Sequence, residues 1–279
     1  MPATVRTYPN GVCGGFPGTG AGGGKRGEIV GWSKGAVRRH KTWLYSVDAP
    51  RLDGQGWGVT LTLSRTPETV EAWQLLRDRV LRAVRADLGA VRWHWVTEWT
   101  GKKVPHLHLA VYFPEGSTRT GHAVVARWLR LTRHYGTVSF AQQAHPIHGP
   151  VGWLKYLSKH SARGVRHYQR VGKPDGWQTT GRLWGHGGEW PVEQPVTAVL
   201  ADEVFYRTRR MVKRWAVSDA LRRGDVEAAR YLRGSLFCPS ERQSRARGYS
   251  EWVPWLVYAQ ILVAAGWDGE IQVEDNETT

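Results

Sequence analysis

The chain has 279 residues, 41% of them hydrophobic, which is enough for one large domain or a domain with a smaller companion. Lysine and arginine number 39 against 24 acidic residues, and the formal charge of +15 favours a polyanionic partner, with nucleic acid first. Two distant cysteines, Cys13 and Cys238, exclude a disulfide framework. The N-terminus does not resemble a signal peptide, and the longest apolar stretch, residues 253–267, is too short to span a membrane. We therefore expect a cytoplasmic protein with no membrane partner.

Composition divides the chain into four segments. Residues 1–27 contain nine glycines and few large apolar residues, which predicts a flexible Gly-rich arm. Residues 28–195 carry mixed strand and helix patterns and form the predicted main domain. Residues 196–267 read as a helical region that binds DNA or another subunit, and residues 268–279 as an acidic disordered tail.

The first half of the main domain has clear periodicities. Ser33 is placed to cap a helix that runs to about Val47 and carries the basic residues Arg38, Arg39 and Lys41. The stretch "VTLTLS" at 59–64 alternates strictly between apolar and polar residues, which predicts a strand with one buried face. Thr66 and Pro67 then begin a predicted helix with apolar residues at helical spacing.

Further strand and helix patterns follow in short succession. Strands are predicted at 92–99 and 106–113, a helix at 123–135, a strand at 138–143 and a helix at 151–162. This order with short connections predicts the α+β class, with a central antiparallel sheet covered by helices and a helical C-terminal extension.

Two histidines stand one residue apart in the second of these paired strands. His106 and His108 share one face of the strand, because residues two apart point to the same side. If the connecting loop has five residues, residues whose numbers sum to 204 lie opposite each other, and Glu98 then faces His106. Two imidazoles and a carboxylate suit a catalytic Mn²⁺ or Mg²⁺, with Zn²⁺ as an alternative. A one-residue slip of register would break the cluster, and ordinary structural histidines are the competing interpretation.

Three ordered stretches resemble the motifs of rolling-circle replication initiators (Rep) of plasmids and phages, in the HUH endonuclease superfamily. They are "VTLTLS" at 59–64, "PHLHLAV" at 105–111 with the upstream Glu98, and "KYLSK" at 155–159. The resemblance covers about residues 57–165, and "GRLWG" at 181–185 extends it. It implies a ferredoxin-like or RRM-like HUH fold, with residues 28–195 as the endonuclease domain.

The same resemblance implies a nicking reaction through Tyr156. Tyr156 and Lys159 are spaced i, i+3 and share one helix face, where a cation can hold the phosphate that the phenol attacks. Tyr135 and Tyr168 are the competing nucleophiles, but neither has a lysine three residues later. The implied product is a covalent 5′-phosphotyrosine with a free 3′-OH that primes replication.

The implied partners are single-stranded and duplex origin DNA, with a host helicase and polymerase. Basic residues expected to contact DNA are Arg38, Arg39, Lys41, Lys102, Lys103, Arg163 and Arg166. Some of the sixteen tryptophans, such as those in "RWHW", are candidates for stacking on unpaired bases, although most are expected in the core. The rival functions are a non-catalytic DNA-binding regulator, a water-using phosphodiesterase and a single-tyrosine transposase.

Overall fold

The computed structural model describes residues 2–16, 27–158, 168–237 and 248–269. Within these residues the chain combines helices with two antiparallel sheets, which confirms the predicted α+β class. The chain divides into two units. Residues 24–44 and 49–191 are here called the five-stranded unit, and residues 1–23, 45–48 and 192–279 the four-stranded unit.

The described strands and helices have the following bounds. The strands are β1 Ala3–Tyr8, β2 Gly11–Gly15, β3 Gln55–Thr62, β4 Arg92–Trp99, β5 Pro105–Phe113, β6 Gln143–Pro146, β7 Trp184–Gly188, β8 Val196–Leu200 and β9 Tyr249–Glu251. The helices are α1 Lys34–Ser46, α2 Val70–Ala86, α3 Gly121–Leu131, α4 Pro150–Leu157, α5 Tyr168–Val171, α6 Asp202–Arg222, α7 Val226–Phe237 and α8 Trp255–Ala264. None of the helices in the described ranges is both long and apolar enough to traverse a bilayer.

The five-stranded sheet has the order β6-β3-β5-β4-β7 with antiparallel pairs, so the histidine strand β5 lies at its centre. Side chains of β5 alternate between two faces. His106 and His108 point to one, here called the histidine face. Leu107 and Leu109 point to the other, the apolar face, and both are fully buried. Both neighbours of β5 fix its register, because a slip would expose this apolar set.

Helices cover both faces of the five-stranded sheet. On the apolar face, α2 and α3 meet through Trp73 and Trp128, whose ring centroids are 6.2 Å apart, and Trp128 Nε1 donates to the Thr62 carbonyl at 3.3 Å. On the histidine face lie α4 and α5, together with the part of α1 that carries Trp43, which stacks on His94 of β4 at 4.8 Å. The sheet is therefore the middle layer of a three-layer unit.

The first helices begin where small polar side chains cap them. Ser33 Oγ accepts from the Ala36 amide at 3.1 Å, as the sequence predicts for α1. Helix α2 begins at Val70 and not at Pro67, because Thr69 has extended backbone and its side chain accepts from the Ala72 amide. The strand predicted at 138–143 is also displaced. A short 3₁₀ turn occupies Ser139–Ala141, and the strand β6 begins at Gln143.

The N-terminal residues differ most from the sequence-based expectation. Within the predicted flexible arm, β1 and β2 form a hairpin inside a sheet of order β8-β1-β2-β9. Val5 and Val12 are fully buried against Phe205 of α6 and Tyr258 of α8. The high glycine content predicted disorder, and the local sequence could not indicate these strands because their partners β8 and β9 lie far along the chain. The described residues after 195, at 196–237 and 248–269, form three helices and the two strands β8 and β9, and residues 270–279 of the expected acidic tail lie outside the described residues.

Candidate active site

The register of β4 and β5 brings the three predicted metal donors to one face. Glu98 lies directly opposite His106, and Val96 lies opposite His108, so the sum-to-204 pairing is confirmed. On the other side of β5, Thr62 faces His106 and Thr60 faces His108. The five-residue loop that sets this register contains Lys103 with a left-handed backbone, φ 62°.

The donor atoms converge on a small volume. Glu98 Oε2 lies 3.5 Å from His106 Nε2 and 3.3 Å from His108 Nε2. One ligand atom from each of the three residues lies within 4.8 Å of the other two. Bonds of about 2.0–2.2 Å from a central ion span such separations with little rearrangement, so the donor set fits one divalent cation. Among the described residues, this is the one group of three or more His, Cys, Asp or Glu side chains so placed.

Burial distinguishes this cluster from an ordinary surface ion pair. Glu98 is 0% exposed and His108 3%, whereas the His106 side chain is 17% exposed. A fully buried carboxylate is costly unless hydrogen bonds and positive charge compensate it. The more exposed His106 leaves the cluster an opening toward solvent.

Thr60 orients the buried histidine. Its Oγ1 lies 3.0 Å from His108 Nδ1, on the side of the ring away from Glu98. An imidazole that donates from Nδ1 to the hydroxyl presents an unprotonated Nε2 toward the carboxylate, which is the form that binds a metal. Thr60 is therefore placed to hold the His108 ring in that orientation.

Gln169 is a further polar neighbour that the sequence reasoning missed. It lies on the short helix α5, is buried, and donates from Nε2 to Glu98 Oε2 at 3.3 Å. Nothing in its local sequence pattern separates it from a surface glutamine. Its neighbour Tyr168, one of the competing nucleophiles, is exposed on the same helix.

Tyr156 lies beside the donor set. Its ring and the His108 ring meet edge to face at 5.5 Å, and the phenol is 42% exposed. Helix α4 carries it and begins at Pro150, a residue suited to the first helical position. Trp153, one turn earlier, packs on the Tyr156 ring at 5.2 Å and lies over Gly58 of β3.

Gly58 allows α4 to lie close to the sheet. A Cβ atom at this position would come within 2.5 Å of the Trp153 indole, closer than van der Waals contact permits. The alternation of β3 places residue 58 on the same face as Thr60. The glycine therefore lets Trp153 and Tyr156 approach the histidine face.

The other predicted site residues are more scattered. Lys159, Arg163 and Arg166 lie outside the described residues. Arg38 and Arg39 are exposed on α1 with Lys41 partly buried, and Lys102 is exposed in the loop between β4 and β5. Lys103 Nζ lies 2.6 Å from Asp175 Oδ1, so this cation is already paired. Tyr135 ends a 3₁₀ turn and contacts His134.

Aromatic and histidine side chains continue along the histidine face. His40 Nε2 and His94 Nε2 lie 2.9 Å apart and both rings are buried. Trp43 stacks between His94 and His186, 4.4 Å from the latter. Burial, and secondarily the charge of Arg182, lowers the pKa of His186, while burial raises the pKa of Tyr112 to about 12. Both groups are therefore neutral at pH 7.

Comparison with known proteins shows which family the chain resembles. The sequence model of the replication-associated protein ORF2/G2P family matches residues 56–161, a segment that contains Glu98, both histidines and Tyr156. The chain is 40% identical over 235 residues to the replication-associated protein G2P of Pseudomonas phage Pf3, covering 83% of this chain and 84% of the phage protein.

Two bacterial relatives are also named as replication proteins. A protein of Xylella fastidiosa strain 9a5c, named as a candidate replication protein, is 43% identical over 238 residues, which cover 82% of this chain and 83% of the relative. A similarly named protein of strain Temecula1 is 41% identical over 240 residues, 81% of this chain and 89% of the relative. No solved structure matches the chain. The resemblance to phage and plasmid replication initiators is confirmed, and the chain belongs to the replication-associated protein ORF2/G2P family.

Proposed function

We propose that the protein is a metal-dependent enzyme that nicks and joins single-stranded DNA at a replication origin and thereby initiates rolling-circle replication. Membership of a family of replication-associated proteins supports a role in replication. The observation that carries the chemical proposal is the convergence of Glu98, His106 and His108 with Tyr156 beside them. The formal charge of +15 supports DNA as the partner.

Each residue has a distinct role in the proposed reaction. Tyr156 Oη forms a bond to the scissile phosphorus, the bond from phosphorus to the 3′ oxygen breaks, and the DNA 5′ end remains on the tyrosine. The released 3′ oxygen becomes a hydroxyl, and the phenol proton leaves through solvent. Lys159, three residues later in the sequence, is assigned to offset charge on the phosphate. Attack by the new 3′-OH on the phosphotyrosine reverses these steps and joins the strand.

Glu98, His106 and His108 are assigned to hold the metal, with Thr60 and Gln169 positioning two of them. A divalent ion bound there supplies Lewis-acid polarisation of a phosphate oxygen. Mn²⁺ and Mg²⁺ are the proposed ions and Zn²⁺ the alternative, since two imidazoles with one carboxylate accept all three. Unlike His108, His106 faces partly outward, so the proposed phosphate approaches from the side of His106 and Tyr156.

Covalent capture of DNA is the test of this proposal. The full chain is incubated with Mn²⁺ and a pool of randomised single-stranded oligonucleotides, and complexes that survive SDS and heat are isolated and sequenced. We expect an adduct joined through a DNA 5′ phosphate, with a recurrent sequence at that end. Tyr156→Phe should abolish the adduct while retaining DNA and Mn²⁺ binding, because only the attacking oxygen is removed.

Two matched variants and one product analysis make this test decisive. Tyr168→Phe and Tyr135→Phe remove the same atom from the competing tyrosines and should leave the adduct unchanged. An adduct that persists in Tyr156→Phe would place the nucleophile elsewhere. Nicked DNA without any adduct would favour a water-using phosphodiesterase, and DNA binding without cleavage would favour a non-catalytic regulator.

A further inference from the structure

A basic concavity lies on the side of the five-stranded sheet opposite the candidate active site. It has a volume of about 530 Å³ and lies between α2 and the edge strand β7. Trp93 and Trp95 of β4 line it, and both alternate with His94 and Glu98 and so belong to the apolar face. His106 and His108 point to the opposite face and do not line the concavity, whereas His186 of the edge strand β7, which lies opposite His94 and so points to the histidine face, lines its rim.

Positive charge predominates in this concavity. Four arginines line it, and Asp78 is the one carboxylate among its described lining residues. Asp78 is already paired with Arg77, whose Nη2 lies 2.9 Å from Asp78 Oδ1. In the described parts of the chain, no carboxylate pairs with Arg82, Arg85 or Arg182, which leaves an excess of three positive charges.

Arg77 and Trp95 form the floor of the concavity. Arg77 is buried, its guanidinium lies over the Trp95 ring at 4.4 Å, and its Nη1 donates to the Arg182 carbonyl at 3.0 Å. The stacking joins α2 to β4, and the hydrogen bond joins α2 to the segment that leads into β7. Arg82 and Arg85 lie on α2 and Arg182 lies before β7, so the contacts of Arg77 join the two segments that carry the other three arginines.

The edge strand leaves an indole partly uncovered. In β7, "WGHGG", Gly185 and Gly187 face Trp95 and Trp93, and a Cβ atom at 185 would lie 2.9 Å from Trp95 Nε1. A Cβ atom at 187 would collide with the Trp93 indole. Trp93 is partly exposed, and it lines both this concavity and a second one of about 760 Å³ that also includes Arg85.

We propose that Arg82, Arg85, Arg182 and Trp93, here called the arginine–tryptophan groove, bind a second segment of single-stranded DNA. The guanidinium groups contact successive phosphates, and an unpaired base stacks on the Trp93 indole. A single strand is favoured over duplex because the partly exposed Trp93 indole can stack only on a base that has left its pair. The identity of the partner rests on the proposed function, but the groove lies outside the reacting site and requires no metal.

DNA binding measured without metal tests the groove separately from the nicking reaction. Anisotropy of a fluorescein-labelled oligothymidine is measured with the full chain in EDTA over a range of salt concentrations. The double variant Arg85→Gln with Arg182→Gln should bind more weakly, and its plot of log affinity against log salt should flatten by about 0.7 for each lost phosphate contact. Trp93→Leu should bind about fivefold more weakly or worse, through loss of stacking, with the salt slope unchanged.

Control variants separate local contacts from overall charge and folding. Arg79→Gln with Arg119→Gln removes the same charge from exposed positions that do not line the groove, and should keep the wild-type slope. Equal losses in the two double variants would overturn the groove, as would wild-type binding by both Arg85→Gln/Arg182→Gln and Trp93→Leu. Thermal melts identify a variant that misfolds. Because Arg85 and Arg182 are exposed, their double variant is expected to fold, and it tests the groove even if Trp93→Leu does not fold.

Two further outcomes separate this proposal from its neighbours. If free thymidine triphosphate competes as well as the oligonucleotide, the groove is a mononucleotide site and the strand proposal is wrong. If covalent adducts form normally while the groove variants bind like wild type, the groove alone is wrong. If no adduct forms but the groove variants lose oligonucleotide affinity, the groove stands and the nicking proposal fails.

Discussion

At the scale of single residues, the candidate site depends on side chains that touch the donors without being donors. Thr60 contacts Nδ1 of His108, and Gln169 contacts the carboxylate of Glu98. Such contacts fix ring tautomers and carboxylate orientation, and their loss typically weakens a metal site by one to two powers of ten. The sequence predicted the three donors but neither of these supports.

The contribution of Thr60 can be measured with isosteric substitutions. Thr60→Val keeps the shape of the side chain and removes the oxygen that lies 3.0 Å from His108 Nδ1. We expect Mn²⁺ affinity, measured by calorimetric titration, to fall about 10- to 100-fold because the imidazole loses its fixed orientation. Thr60→Ser retains the hydroxyl and should bind Mn²⁺ like the wild type. Equal affinity in the valine and serine variants would remove Thr60 from the site.

At the scale of helices and strands, the sequence predicted what local periodicity encodes. Alternation in β3 and β5 and the length of one loop were enough to place Glu98 opposite His106. Gln169 and the strand positions of β1 and β2 could not be predicted, because each acquires its role from residues distant in the chain. Hydrophobic periodicity reports burial of a face, and it does not report which distant element buries it.

The close approach of α4 to the sheet gives a prediction for Gly58. Gly58→Ala adds a Cβ atom 2.5 Å from the Trp153 indole, so this indole, which packs on the Tyr156 ring of the same helix, must move. We expect a reduced rate of adduct formation with nearly unchanged Mn²⁺ affinity, since Glu98, His106 and His108 lie on other strands. The matched control is Gly152→Ala, whose added atom meets open space on the same helix. If both variants react at the wild-type rate, the position of α4 does not limit the reaction.

The N-terminal hairpin gives a prediction about stability. Val5 is fully buried and Arg6 is exposed on the same strand β1. Val5→Asp places an unpaired carboxylate in an apolar core, and we expect it to lower the free energy of unfolding of the four-stranded unit by roughly 3 kcal/mol or more. Arg6→Asp should change it by less than about 1 kcal/mol. Chemical denaturation followed by circular dichroism distinguishes this result from the flexible-arm expectation, under which both substitutions would be neutral.

At the scale of the whole molecule, charge determines how DNA binding responds to salt. The formal charge of +15 predicts that several phosphates are neutralised and their counterions released on binding. We expect log affinity for single-stranded DNA to fall linearly with log salt, with a slope of about −0.7 for each phosphate contacted. Filter binding in metal-free buffer measures this slope. A nearly flat response between low and physiological salt would mean that phosphate contacts do not dominate affinity.

The order of strands in the four-stranded sheet has a consequence for synthesis on the ribosome. The hairpin of β1 and β2 leaves the ribosome before its neighbours in the sheet, Val196–Leu200 and Tyr249–Glu251, which are translated only after all strands of the five-stranded sheet. At roughly 5–20 residues per second, the hairpin waits on the order of ten seconds or more with both edges unpaired. The strands of the five-stranded sheet all lie between residues 55 and 188 and can pair during that interval. A nascent chain that stalls before β8 therefore carries an incomplete sheet whose open edges can pair with other chains.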